Sequence, residues 1–120
     1  MREHLAEFDI EQREGVHVAR VVGEIDASNA DDLRLALTER LPNATIALVL
    51  DLSQVGYIDS SGVQLLFDLG RRLTARRQKM RLVVPEGART RRVLELCNVG
   101  SLTPVDHELE SSMAALAGGG

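Results

Sequence analysis

Asp59-Ser60-Ser61-Gly62 places a carboxylate and two hydroxyls in one turn, directly ahead of a helical pattern. Two local chemistries could use it: a serine nucleophile or a helix cap. A nucleophile elbow needs glycine two residues to either side of the serine. Ile58 stands two before Ser60, and Asp59 two before Ser61. His4, His17 and His107 are the available bases, and the element order brings none of them to Ser60. Capping distinguishes the two serines. With Ser61 as N-cap, Gln64 falls at the third helical position and completes a capping box. The Ser61 hydroxyl is then engaged and Ser60 is free. The alternative is that both serines simply cap the helix.

Other chemistry finds little support. No G-x-x-x-x-G-K-[ST] phosphate loop occurs, and no cofactor is expected. One cysteine and three scattered histidines make no metal cluster. Cys97 is expected to pack in the core as a small apolar group, His17 to lie on a strand surface and His107 in the first turn of a helix.

The elements that position the turn follow from periodicity. Ile46-Ala47-Leu48-Val49-Leu50 is an unbroken apolar run between Pro42-Asn43 and Asp51, as in a strand buried on both faces. After the turn, Val63, Leu66, Phe67, Gly70 and Leu73 carry the spacing of a helix's inner face, and this helix runs from Ser61 to Arg77. Upstream, Ala6–Glu11 and Val16–Val22 form a hairpin about Arg13-Glu14-Gly15. Gly23-Glu24-Ile25-Asp26 ends the second strand. Ser28 is expected to cap the next helix, with Asp31 at the capping-box position and Asp32 beside it. Ala30, Leu33, Leu37 and Leu41 form its buried stripe. Strand, helix and strand make a right-handed βαβ unit, which brings Asp26 and Asp59 to one sheet edge.

Downstream, Lys79–Val84 is a strand stopped by Pro85. Ala88–Cys97 is a helix with Val93, Leu96 and Cys97 inward, stopped by Asn98-Val99-Gly100. Leu102–Val105 is an edge strand containing Pro104. Asp106 is expected to cap a last helix carrying Leu109, Met113 and Leu116. The fold class is α/β: a mixed sheet of four to five strands with about four helices, mainly on one face. A chain of 120 residues suits one domain with one core, at about 6–117, and Gly118-Gly119-Gly120 as a flexible tail.

No apolar run is long enough to span a bilayer and no signal-peptide pattern is present, so a cytoplasmic protein without a membrane role is expected. A formal net charge of −4 argues against a generic nucleic-acid partner. Arg71, Arg72, Arg76, Arg77, Lys79 and Arg81 form one basic block, and Arg89, Arg91 and Arg92 another. Acidic residues gather at Glu3, Glu7, Asp9 and Glu11 and at Asp106, Glu108 and Glu110. Phe8, Tyr57 and Phe67 are the only aromatics, too few for a single-strand stacking platform.

The segment DLSQVGYIDSSGVQLL resembles the signature of the STAS domain, and in particular of bacterial anti-sigma factor antagonists. Gly23-Glu24-Ile25-Asp26 is similar to that family's second marker, and the resemblance runs from about Phe8 to Leu116. It implies a regulator of transcription that works by partner switching, in stress response or sporulation, and a kinase substrate rather than an enzyme. The partner implied is an anti-sigma factor with serine-kinase activity, with room for a phosphoserine phosphatase. The phosphoacceptor implied is Ser60, with Asp26, Asp59, Ser61, Gly62 and Gln64 around it. Arg71 and Arg72 would extend the partner face. Many members carry a small residue where this chain has Gln64, which bears on the choice of kinase. Scaffold or adaptor STAS domains, of stressosome or lipid-transport type, and a nucleotide-binding module are the alternatives.

Overall fold

The computed structural model describes residues 6–118. Glu3, His4, Gly119 and Gly120, named above, lie outside that range. The chain runs β1 (Glu7–Arg13), β2 (Val16–Ile25), α1 (Ala30–Arg40), β3 (Ala47–Ile58), α2 (Ser60–Ala75), β4 (Lys79–Val83), α3 (Arg89–Leu96), β5 (Val105–Asp106) and α4 (Leu109–Ala117). The sheet follows chain order, β1-β2-β3-β4-β5. β1 and β2 are antiparallel and the other pairs are parallel. Glu14 and Gly15 join the hairpin with φ of 53° and 85°. Positive φ at both residues is the turn that matches strand twist.

Three crossovers progress in one direction across the sheet. With a common hand, they place α1, α2 and α3 on one face. There Leu48, Leu50 and Leu52 of β3 meet Leu33 and Leu37 of α1 and Leu66 and Leu69 of α2. α4 covers part of the opposite face, where Leu109, Met113 and Leu116 pack on Val16, Val18, Ala47, Val49 and Val83. Burial on both faces is why the β3 run shows no alternation.

β3 is longer than its apolar run. It continues past Asp51 to Ile58, while β4 pairs with it only as far as Asp51↔Val83. Register against β2 shifts twice, between Arg20↔Asp51 and Val22↔Gln54 and between Gly23↔Val55 and Glu24↔Tyr57. β3 gains one residue each time, so two bulges re-aim its end. At the first, the Asp51 carboxylate accepts the Ser53 N–H at 3.0 Å and its hydroxyl, with Arg20 Nε 3.7 Å away.

Several expectations are corrected. Ile46 precedes the strand and is 58 % exposed, against the hairpin turn. His17 is buried with its Nδ1 3.0 Å from Thr45 Oγ1, because this end of β2 is covered on both faces. In α3 the inner positions are Thr90 and Leu94, whereas Leu96 and Cys97 are exposed. Arg91 donates to the Val84 carbonyl at 2.6 Å, which fixes the rotation of this helix and turns its later apolar residues outward. Val99–Ser101 is a 3-10 turn, and β5 is only Val105–Asp106.

Asp106 does not cap α4, whose N-cap is Glu108 without a side-chain bond. It instead receives a forked pair from Arg81 of β4, Nε at 2.9 Å and Nη2 at 3.2 Å, and the Ser112 hydroxyl of α4. One carboxylate thus fastens β5 and α4 to β4. The Arg81 hydrogen bonds hold its pKa below the ordinary carboxylate value, against the opposing effect of burial, and Ser112 adds to the lowering. The bond therefore contributes fully above the unfolded-state pKa of about 4 and is lost as pH falls through the folded pKa. Asp106→Asn should cost about 1–3 kcal/mol at pH 7, and thermal melts should show the gap to the parent closing below about pH 4.

Candidate functional site

The parallel register sets Ile25 opposite Ile58, and the Asp59 N–H donates to the Ile25 carbonyl at 3.2 Å. The loops after β2 and β3 therefore leave the sheet side by side, with Asp26 and Asp59 as their first residues. Each aspartate organises its own loop. Asp26 Oδ1 accepts the Ser28 N–H at 2.9 Å and the Ser28 hydroxyl. Asp59 is the N-cap of α2, and its Oδ1 accepts the N–H of Ser61 at 2.8 Å and of Gly62 at 3.2 Å.

This cap overturns the expected capping box. Ser61 is the second residue of α2, not its cap, and Gln64 donates to Asp68 at 3.0 Å instead. Asp, Ser and Ser are all competent caps. The end of β3 decides between them, because the strand pairs through Ile58 and leaves Asp59 with extended backbone, φ −110° and ψ −170°. Neither serine hydroxyl has a hydrogen-bond partner among the described residues. What separates them is exposure: Ser60, at the first helical position, faces solvent, and Ser61 is half-buried.

Ser28 likewise is not the α1 cap. That position belongs to Asn29, which makes no side-chain cap bond. Sequence reasoning passed over this residue. Asn29 is 3 % exposed, its Oδ1 accepts the Asp26 N–H at 3.1 Å, and its Nδ2 donates to the Glu24 carbonyl at 2.8 Å. It closes the Asp26 loop from inside. An asparagine three residues after an aspartate that ends a strand was the available signal.

Gly62 seats the start of α2. A Cβ there would run into the Ile58 side chain and lie 3.0 Å from Ile25 Cγ2. The helix thus rests directly on the ends of β2 and β3. Further along, Arg71 donates to Asp68 at 2.7 Å, so its charge is partly met within α2, while Arg72 is exposed. The described residues hold no group of His, Cys, Asp and Glu that could bind a metal, and no helix long and apolar enough to cross a membrane. Asp59→Ala should cost about 0.5–2 kcal/mol through the lost cap, and Gly62→Ala about 1–3 kcal/mol through overpacking. Ser61→Ala should stay within about 0.5 kcal/mol. Urea titration of the three variants checks this order.

Known proteins share this architecture. Residues 7–112 match the family model described as "STAS domain". A putative anti-sigma factor antagonist, BtrV, of Bordetella bronchiseptica is 28 % identical over 103 residues, which cover 85 % of this chain and 87 % of BtrV. The crystal structure of an anti-sigma factor antagonist from Mycobacterium paratuberculosis superposes with a TM-score of 0.82 at 29 % identity, over 92 % of each chain. The anti-sigma factor antagonist SpoIIAA, in its unphosphorylated form, has a TM-score of 0.74 at 22 % identity, over 93 % of this chain and 97 % of its own, and so is a likeness of fold. With the model match spanning nearly the whole described chain, the protein belongs to the STAS domain family.

Proposed function

We propose that this protein is a cytoplasmic anti-sigma factor antagonist that works by partner switching. Unphosphorylated, it binds an anti-sigma factor with serine-kinase activity. Phosphorylated on Ser60 by that partner, it lets go, and a phosphoserine phosphatase resets it. The protein is the substrate of this chemistry and not its catalyst. The names of its relatives motivate the class, and one observation carries the site: an exposed, unbonded Ser60 hydroxyl at the first position of α2.

The electrostatics suit a switch read at a surface. A phosphate adds about −1.5 to −2 charges at pH 7. The α2 N-terminus would favour it by about 0.3–1 kcal/mol. Asp59 already holds the Ser61 and Gly62 N–H groups, so those donors are not free to receive it. Asp26 and Asp59 oppose it by roughly 1–3 kcal/mol per unit charge at ~5 Å, for effective dielectrics from bulk water down to ~20. The repulsion outweighs the helix term, so the phosphate should turn out towards solvent, where screening weakens the repulsion and the surface potential changes more than the fold. A partner that desolvates Ser60 would meet the new charge at about 1–3 kcal/mol for each unfavourable contact, roughly ten- to hundredfold in affinity. Gln64 lies one turn along the same helix face, folded towards Asp68, where it bears on which kinase docks.

Calorimetry with the cognate anti-sigma factor tests this reading. Ser60→Ala should leave stability within about 0.5 kcal/mol and bind as the parent does, but no longer be released by ATP. Ser60→Asp should bind about tenfold or more weakly with the fold intact. Equal binding by Ser60→Asp and the parent would count against it.

A further inference from the structure

The outward face of α3 is not used by the switch. Arg91 pins the start of this helix to the end of β4 through the Val84 carbonyl, and lies 3.7 Å from Glu95. That bond leaves Arg89 and Arg92 pointing to solvent one turn apart. Neither has a carboxylate within ion-pair reach among the described residues, unlike Arg71 with Asp68, Arg81 with Asp106 and Arg20 with Glu11. They flank a cleft of about 530 Å³ that reaches back to Gly87 and is also lined by Arg91 and by two exposed carboxylates, Glu95 at 3.7 Å from Arg91 and Glu86 at 3.6 Å from His107, which leaves Arg89 and Arg92 as its unpaired charges. One turn beyond Arg92, Leu96 is 76 % exposed, the most exposed of the large apolar residues described. Arg89, Arg92 and Leu96 stand at i, i+3 and i+7, the spacing of one helix face.

Two unpaired cations followed by an uncovered leucine, on a protein of net charge −4, form a local basic and apolar surface. Its complement is acidic and apolar. We propose that the outward face of α3 is a second docking surface, which takes an acidic, amphipathic segment of a protein partner. Carboxylates of that segment would pair with Arg89 and Arg92, in forked geometry that arginine favours, and an apolar side chain would cover Leu96. Arginine at such a surface is a frequent source of binding energy once water is excluded. This surface requires neither Ser60 nor its modification.

The test uses the full chain and a short synthetic peptide of alternating glutamate and leucine pairs, with its lysine counterpart as control. The glutamate peptide should shift the NMR signals of Arg89, Arg92 and Leu96, and its affinity should fall with added salt. Arg89→Glu with Arg92→Glu should weaken binding about tenfold or more, and Leu96→Ser should weaken it by less. Arg76→Glu with Arg77→Glu, a charge-matched change at the end of α2, should leave binding unchanged. All these residues are exposed, so circular dichroism of the variants should match the parent. Shifts centred elsewhere, equal loss in the α2 variant, or equal binding of the lysine peptide would overturn the proposal. So would occupation of α3 by DNA or anionic vesicles with the glutamate peptide unbound.

Discussion

One backbone hydrogen bond, from the Asp59 N–H to the Ile25 carbonyl, sets the geometry on which the site depends. It is the last rung of a parallel ladder that starts thirty-one residues out of step at Val16↔Ala47 and closes thirty-three out of step at Ile25↔Ile58. The two bulges in β3 make up the difference. Were β3 to pair without them, Leu48 and Leu50 would keep their register but Ile25 would meet Gly56 and not Ile58. The bulges thus let a buried strand continue into an exposed edge with the right residue arriving last. Asp59 then becomes the cap because it is the first residue the ladder releases.

From that point the consequences are local. A capped N-terminus fixes the start of α2, and Gly62 lets that start lie on Ile25 and Ile58 without a gap. Ser60 is left at the rim, in a position where its hydroxyl has no structural duty. Ser28 offers the contrast inside the same edge, since its hydroxyl is held by Asp26. A rigid mount and an idle hydroxyl are the two requirements of a site where added charge must alter a surface and not a fold. At the other end of the chain, Asp106 ties β5 and α4 to β4 through Arg81 and Ser112, on the sheet's far margin. The edge that carries Ser60 and the fastening of the last helix are therefore separate parts.

Much of this was legible in the residues. The apolar run of β3, the inner face of α2 and the meeting of the Asp26 and Asp59 loops all follow from period and crossover geometry. The choice of cap was not, because Asp59, Ser60 and Ser61 are nearly equal as N-caps and only the tertiary pairing of β3 separates them. The same holds for Ser28 and Asn29, where the asparagine serves as an interior brace. α3 misled for another reason. Its eight residues are too few for periodicity to fix a face, and the Arg91 bond to Val84 sets the rotation. His17 reads as a surface strand residue until Thr45 is seen to close over it, on the face opposite the one α4 covers.

We propose that the serine directly after the α2 cap, and not its neighbour, receives the phosphate. Phosphopeptide mass spectrometry after incubation with the cognate kinase and ATP addresses it residue by residue. Phosphate on Ser60, abolished in Ser60→Ala and retained in Ser61→Ala, is the result expected. Phosphate on Ser61, or continued phosphorylation of Ser60→Ala, would contradict it.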